Sequence, residues 1–322
     1  MQLSIIVATY RRAPSLARLL ASIAASEYPL DRVEVVVADN ADDLDTRHIC
    51  DSYRDRLDIT YLVETTKGKN SALNTALPLA RGELLLFTDD DVAVAPRWLA
   101  EMAAAASRWP KHQLFGGRVL PNWPSECPMH LRQPQYLGMC FSVLDRNSEE
   151  GPDPAFSPFG PNLAVRRSLF DAGARFNMHI GPNGASYIMG SETEFITRLK
   201  AAGHVPVYVP GSMVLHTIRP EQFTERWLRG RAFRYGRLVE VRLQRDGRAH
   251  AGHSVHLLRP MLHNVAGVVL ASMLGRRQAR FDHLMELAIK YGRYYQSRQP
   301  PLESGETSPP SMPGASRQVL SA

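Results

Sequence analysis

The chain has 322 residues, 44% apolar and 22% charged, which excludes a disordered or fibrous protein and allows a sizeable core. Three cysteines (Cys50, Cys127, Cys140), with no CxxC pair, exclude a disulfide framework and point to a reducing compartment. The net charge of +6 is uneven: residues 1–216 hold 21 basic and 24 acidic side chains, residues 217–322 hold 17 and 8. The basic end therefore suits an acidic partner such as anionic lipid or a phosphorylated substrate.

In chain order, Leu3–Ala8 reads as an apolar, β-branched strand, too short and lacking the basic flank for a signal peptide. Ala13–Ser26 has helical periodicity, with Leu16, Leu19, Leu20 and Ile23 on one face. Val33–Ala38 is a second strand, Asp42–Arg54 a helix, Ile59–Val63 a third strand, Ser71–Ala80 a helix and Glu83–Phe87 a fourth strand. Pro96–Arg108 is a helix with proline in its first turn, and Phe115–Leu120 another strand. Such alternation predicts an α/β fold with a mostly parallel sheet flanked by helices, its ligands at the carboxyl ends of the strands. Residues 121–160 are proline-rich and aperiodic, and read as a long loop or an acceptor-side insertion. Glu192–Ala202 is a helix and Val205–Val209 a strand. Basic helices over 221–243, 255–274 and 281–295 form a C-terminal helical extension, and from Arg298 the chain reads as a disordered tail. The expected division is 1–216 catalytic, 217–298 basic and helical, 299–322 tail.

The most informative feature is Asp89-Asp90-Asp91 directly after the apolar run Leu84–Phe87. Three carboxylates at a strand end are either an ordinary solvated acidic turn or, since they repel one another, a site that a hard divalent cation bridging to a phosphate would relieve. Asp39 ends the second strand, either as a hydrogen-bond acceptor for a nucleotide or as a turn former. Gly68 with Lys67 and Lys69 precedes a helix start and is a phosphate or nucleotide site or a solvated basic turn; the P-loop spacing is absent. Glu192 opens a helix and is a capping device or a general base. His216 closes an apolar run and is a structural residue or a ligand beside Asp91. Trp227 to Arg237 interleaves arginine with aromatics, suiting phosphate or lipid headgroups, or a solvated basic helix. Met261–Gly275 is apolar but shorter than the ~20 residues that span a bilayer, and Arg276, Arg277 and Arg280 follow it. Two readings stand for it: an interfacial helix on anionic lipid, or a helix packed on the catalytic domain.

Taken together, Ser4–Arg11, Asp39, Gly68-Lys69-Asn70 with Ala72-Leu73-Asn74, Asp89–Asp91, Gly160–Arg167, Gly190–Phe195 and His216 resemble the inverting family-2 glycosyltransferases of GT-A fold. The likeness covers roughly residues 1–240. It implies transfer of a sugar from a nucleotide-diphosphate sugar to a glycan or lipid-linked acceptor, as in cell-surface or exopolysaccharide synthesis. It also implies Mg²⁺ or Mn²⁺ on Asp91, with Asp89 and His216 in the metal set. Thr9, Tyr10, Arg11 and Asp39 would hold the nucleobase side, with Lys69, Asn70, Asp89 and Asp90 near the nucleotide and ribose. Asn162, Glu194, Trp227 and Arg231 complete the expected substrate contacts, and Glu192 matches the catalytic base. The family usually has Glu-Asp where this chain has Ser191-Glu192, so Glu192 and Glu194 both stand as proton acceptors. Localisation is expected to be cytoplasmic, peripheral on the inner face of the cell membrane, with no nucleic-acid partner. The rival reading is an inactive, basic, membrane-surface or nucleotide-binding scaffold; intact Asp89, Asp91 and Glu192 argue against it. A sugar nucleotidyltransferase is disfavoured because Thr9–Pro14 lacks a glycine-rich loop.

Overall fold

The computed structural model describes residues 1–184, 187–248, 254–300 and 302; the expected tail falls almost wholly outside them. The chain opens with β1 (Leu3–Thr9), α1 (Ala13–Ala24), β2 (Val33–Asp39), α2 (Leu44–Asp51), β3 (Asp58–Val63), α3 (Lys69–Ala76), β4 (Leu84–Asp89), β5 (Val92–Val94) and α4 (Trp98–Arg108). It continues through β6 (Leu114–Asn122), α5 (Pro134–Phe141), β7 (Gly151–Pro152), β8 (Leu163–Arg166), α6 (Arg167–Asp171), α7 (Ser191–Ala201) and β9 (Val207–Thr217). Three helices follow: α8 (Glu225–Arg245), α9 (Leu258–Met273) and α10 (Arg277–Ser297).

The strands form one sheet in the order β3-β2-β1-β4-β8-β6-β9-β5, with β7 also on β9. The half built from β3, β2, β1 and β4 is parallel. Beyond β4 the sheet is mixed, because β8 runs antiparallel to both β4 and β6, while β6 and β9 are parallel. The parallel half is buried on both faces, so its strands read as continuous apolar runs. Alternation sorts their side chains: Ile5, Val7, Val35 and Val37 pack with Leu16, Leu20 and Trp98 on one face. Ile6, Val36, Leu85 and Phe87 pack with Leu73, Phe195 and Ile196 on the other.

The aperiodic stretch after β6 folds into α5 as well as loop. Tyr136, Cys140 and Phe141 share a separate core with Leu228 and Ala232 of α8 and Phe281 and Met285 of α10. This segment is thus the seat of the C-terminal helices. Sequence periodicity missed α5 because its apolar residues face another helix pair rather than the sheet.

Candidate active site

Strand register gathers the acidic residues. β1 and β4 are paired with Ala8 beside Asp89, which brings Thr9 level with Asp90. The Thr9 hydroxyl donates to Asp90 at 2.7 Å. β5 and β9 pair with Val92 opposite His216, and the Thr217 amide donates to the Asp91 carbonyl at 2.8 Å. His216 Nε2 consequently lies 3.4 Å from Asp91 Oδ1. Its Nδ1 donates to the Phe141 carbonyl at 2.8 Å, since a carbonyl can only accept.

Two guanidiniums close on this pair. Arg12, at the start of α1, reaches Asp90 and Asp91 at 3.0 Å each, and Arg219 reaches Asp91 at 3.3 Å. Burial alone would raise the Asp91 pKa. The hydrogen bond and charge of His216, with Arg12 and Arg219, outweigh burial and hold Asp91 well below the usual carboxylate range. Burial opposes the charged form of His216 too, but Asp91 overcomes it and raises the imidazole pKa. Asp90 moves the other way: burial raises it, and Arg12 only partly offsets that.

Glu192 arrives from the other side, in the first turn of α7. Gly190 precedes that turn at φ 98°, a left-handed conformation that favours glycine. Lys69, the first residue of α3, hydrogen-bonds both Asp89 and Glu192. Burial would lower its pKa, but the two carboxylates overcome this and raise it. Gly160 lies beneath Glu192: a β-carbon there would meet Glu192 Cδ at 2.4 Å.

Several of the expected ligands also make hydrogen bonds that brace the fold. Asn70 is buried; its amide donates to the Asn177 and Ile180 carbonyls at 2.7 and 2.8 Å, and its oxygen accepts from Ser191. Asn74 exchanges hydrogen bonds with the backbone of Phe176. The asparagines of this motif thus hold the loop that delivers Glu192, and Lys69 alone faces the carboxylates. Asp39 is fully buried and accepts from the amides of Ala41 and Asp43 and from the Tyr61 hydroxyl, so it organises the turn after β2. Thr9 and Asp90 brace one another. Asn162 is also fully buried: Trp98 donates to its oxygen, while its amide donates to Arg118 and Ser212 where the β6–β9 register shifts. All of its polar groups are spent on the fold.

Glu194 points away from the cluster and pairs with Arg198 at 2.7 Å and Arg245 at 3.7 Å. Trp227 stacks on Phe141, and Arg231 lies over the Trp227 ring and donates to the Met139 carbonyl, so both belong to the α5–α8 contact. Asp89 hydrogen-bonds Lys69, and its charge also bears on His216. Among the described residues no three His, Cys, Asp or Glu side chains gather as a metal set. Tyr10 is 49% exposed, with the Arg11 guanidinium over its ring. The sequence reading missed Arg12 and Arg219; the one available signal was an arginine three residues after the end-of-strand Thr9.

The chain is similar to known proteins at the level of family, of sequence and of fold. Residues 4–172, more than half of the chain, match the profile of "Glycosyl transferase family 2". The succinoglycan biosynthesis protein ExoM of Rhizobium meliloti is 27% identical over 240 residues, 71% of each chain. Validoxylamine A glucosyltransferase of Streptomyces hygroscopicus subsp. jinggangensis is 37% identical over 167 residues, which span 51% of this chain but only 35% of that protein. Among solved structures, S. aureus TarS 1-349 in complex with UDP-GlcNAc superposes with a TM-score of 0.56 at 17% identity, covering 92% of both chains. The mannosyltransferase PcManGT from Pyrobaculum calidifontis, in complex with GDP-Man and Mn²⁺, gives 0.56 at 20% identity over 90% of this chain and 86% of that one.

Proposed function

The chain belongs to glycosyl transferase family 2 and has the GT-A fold, and from that premise we propose that it moves a sugar from a nucleoside-diphosphate sugar to an acceptor hydroxyl with inversion at the anomeric carbon. The observation that carries this is the Lys69 bridge, which sets Glu192 opposite the Asp89–Asp91 strand end. Glu192 is the base that takes the acceptor proton, and the acceptor oxygen attacks the face opposite the leaving diphosphate. One carboxylate suffices, because a single displacement needs no covalent intermediate. We place the base at Glu192 rather than at Glu194, whose Oε1 is paired with Arg198 and Arg245.

Asp91 and His216 fit a partial shell for Mg²⁺ or Mn²⁺: a carboxylate oxygen and an imidazole whose other nitrogen is tied to a carbonyl, with diphosphate oxygens completing it. The ion would serve as a Lewis acid toward the leaving diphosphate. The exposed Tyr10 ring would stack on the nucleobase. We assign donor binding and catalysis to residues 1–216 and acceptor-side contacts to the basic helices over 217–298. Similarity to ExoM along most of both chains favours a glycan acceptor in polysaccharide synthesis, the glycan itself or its lipid-linked form.

The test is release of nucleoside diphosphate from UDP-, GDP- and dTDP-sugars, with and without Mn²⁺, by the wild type and Asp91→Ala. Slow metal-dependent release from one donor class, lost in the variant, is the expected result. Binding of nucleotide without release, with or without a glycan acceptor, would instead fit an inactive scaffold.

A further inference from the structure

α9 packs only one side on the protein. Asn264 and Ala271 are buried, the Asn264 amide donates to Glu286 of α10, and Gly267 lies against the His283 ring. Among the described residues, none covers the opposite side. Leu258, Leu262, Val265, Val269 and Met273 recur at steps of four, three, four and four residues, which aligns them in one stripe. Leu262 is 68% and Met273 80% exposed. No polar side chain interrupts the stripe, and α9 carries no acidic residue. Exposed Arg259 lies beside it, and exposed Arg276 and Arg277 follow its end. Isolated exposed apolar residues are ordinary, but an unbroken stripe with a basic rim marks a binding surface.

We propose that α9 lies flat on an anionic lipid bilayer, its stripe among the acyl chains and its arginines at the phosphates. Charge complementarity selects this occupant: the cationic rim, on a region with 17 basic and 8 acidic residues, matches an anionic headgroup layer. Length selects the orientation. Sixteen residues rise about 24 Å, less than the ~30 Å hydrocarbon core, and no helix among the described residues is long and apolar enough to cross a membrane. An amphipathic helix of this kind rests at the interface. The two sequence readings of this segment are thereby joined: one face packs on the protein, the other is free for lipid. The inference stands independently of the transfer reaction.

The test uses the full chain with vesicles of phosphatidylcholine, with or without phosphatidylglycerol. The wild type is expected to sediment with the anionic vesicles only, and less so at high salt. Leu262→Glu/Val269→Glu is expected to lose about tenfold or more of that binding, with unchanged thermal midpoint and unchanged nucleotide binding. As a second readout, a polarity-sensitive dye on Val265→Cys should shift to the blue only with anionic vesicles; the three native cysteines are buried and spare the label. Absence of wild-type binding, or equal binding by the double variant, would overturn the proposal. So would a lipid-free wild-type dimer that the double variant splits without any vesicle binding, which would assign the stripe to a second copy.

Discussion

The carboxylate of Glu192 rests on the bare Cα of Gly160. A β-carbon at that position would stand 2.4 Å from Glu192 Cδ and 2.5 Å from its Oε1. Glycine is required there by close approach, and the residue approached is the proposed base. Gly160→Ala should therefore push Glu192 off Lys69 without unfolding the chain. The expected result is a fall in kcat of roughly tenfold to a hundredfold, as for a base displaced by about 1 Å, with donor KM nearly unchanged. A raised KM at constant kcat would show that Gly160 serves donor binding instead.

Glu192 and Glu194 are separated by their partners. Glu192 shares Lys69 with Asp89, whereas Glu194 is closed off by Arg198 and Arg245. Glu192→Gln should lower turnover by about 10²- to 10⁴-fold and leave donor binding measurable by calorimetry. Glu194→Gln should lower the thermal midpoint more than the turnover. The reverse pattern would move the base to Glu194.

Two aspartates and a histidine separate in their response to metal. Mn²⁺ binding in the presence of a nucleoside diphosphate, followed by electron paramagnetic resonance, should weaken on the order of tenfold or more in Asp91→Asn and His216→Ala. Asp89→Asn should bind Mn²⁺ nearly as the wild type does, because Asp89 is held by Lys69. Loss in Asp89→Asn equal to that in Asp91→Asn would restore Asp89 to the metal set.

The cysteines give a pH-dependent check on the fold itself. Burial pushes Cys50 and Cys140 up to about 12, and raises Cys127 as well. The neutral thiol is favoured by folding, so this contribution is complete below the unfolded thiol range near ~8.5 and is lost as pH rises toward the folded values. Thiol reagents at pH 8 should leave the native protein unmodified and titrate three thiols after denaturation. Rapid modification of the native chain would contradict the packing of α2 and α5.

How far the sequence reveals this molecule depends on what each residue packs against. The strands of the parallel half, and the helices on its faces, are legible because a two-sided sheet forces continuous apolar runs and the helices a 3.6-residue stripe. β5 is three residues long, too short for a period, yet it places His216 beside Asp91. The roles of side chains were less legible than their positions. Asp39, Asn70 and Asn162 have the chemistry of ligands, and only their buried surroundings show that they also hold a turn, a loop and a strand irregularity. Trp227 is similar: as a letter it suits a sugar, but in the fold it stacks on Phe141, whose carbonyl holds His216. The C-terminal helices thus touch the site through α5, a link with no local sequence signal.

The central claim is a single displacement with Glu192 as the only base, and product stereochemistry tests it most directly. The sugar released to water from an α-linked donor should be followed by proton NMR before mutarotation. The account predicts the β-anomer as the first product of the wild type, with its formation suppressed in Glu192→Gln. Initial release of the α-anomer, or the same rate of β-anomer in the variant, would contradict it.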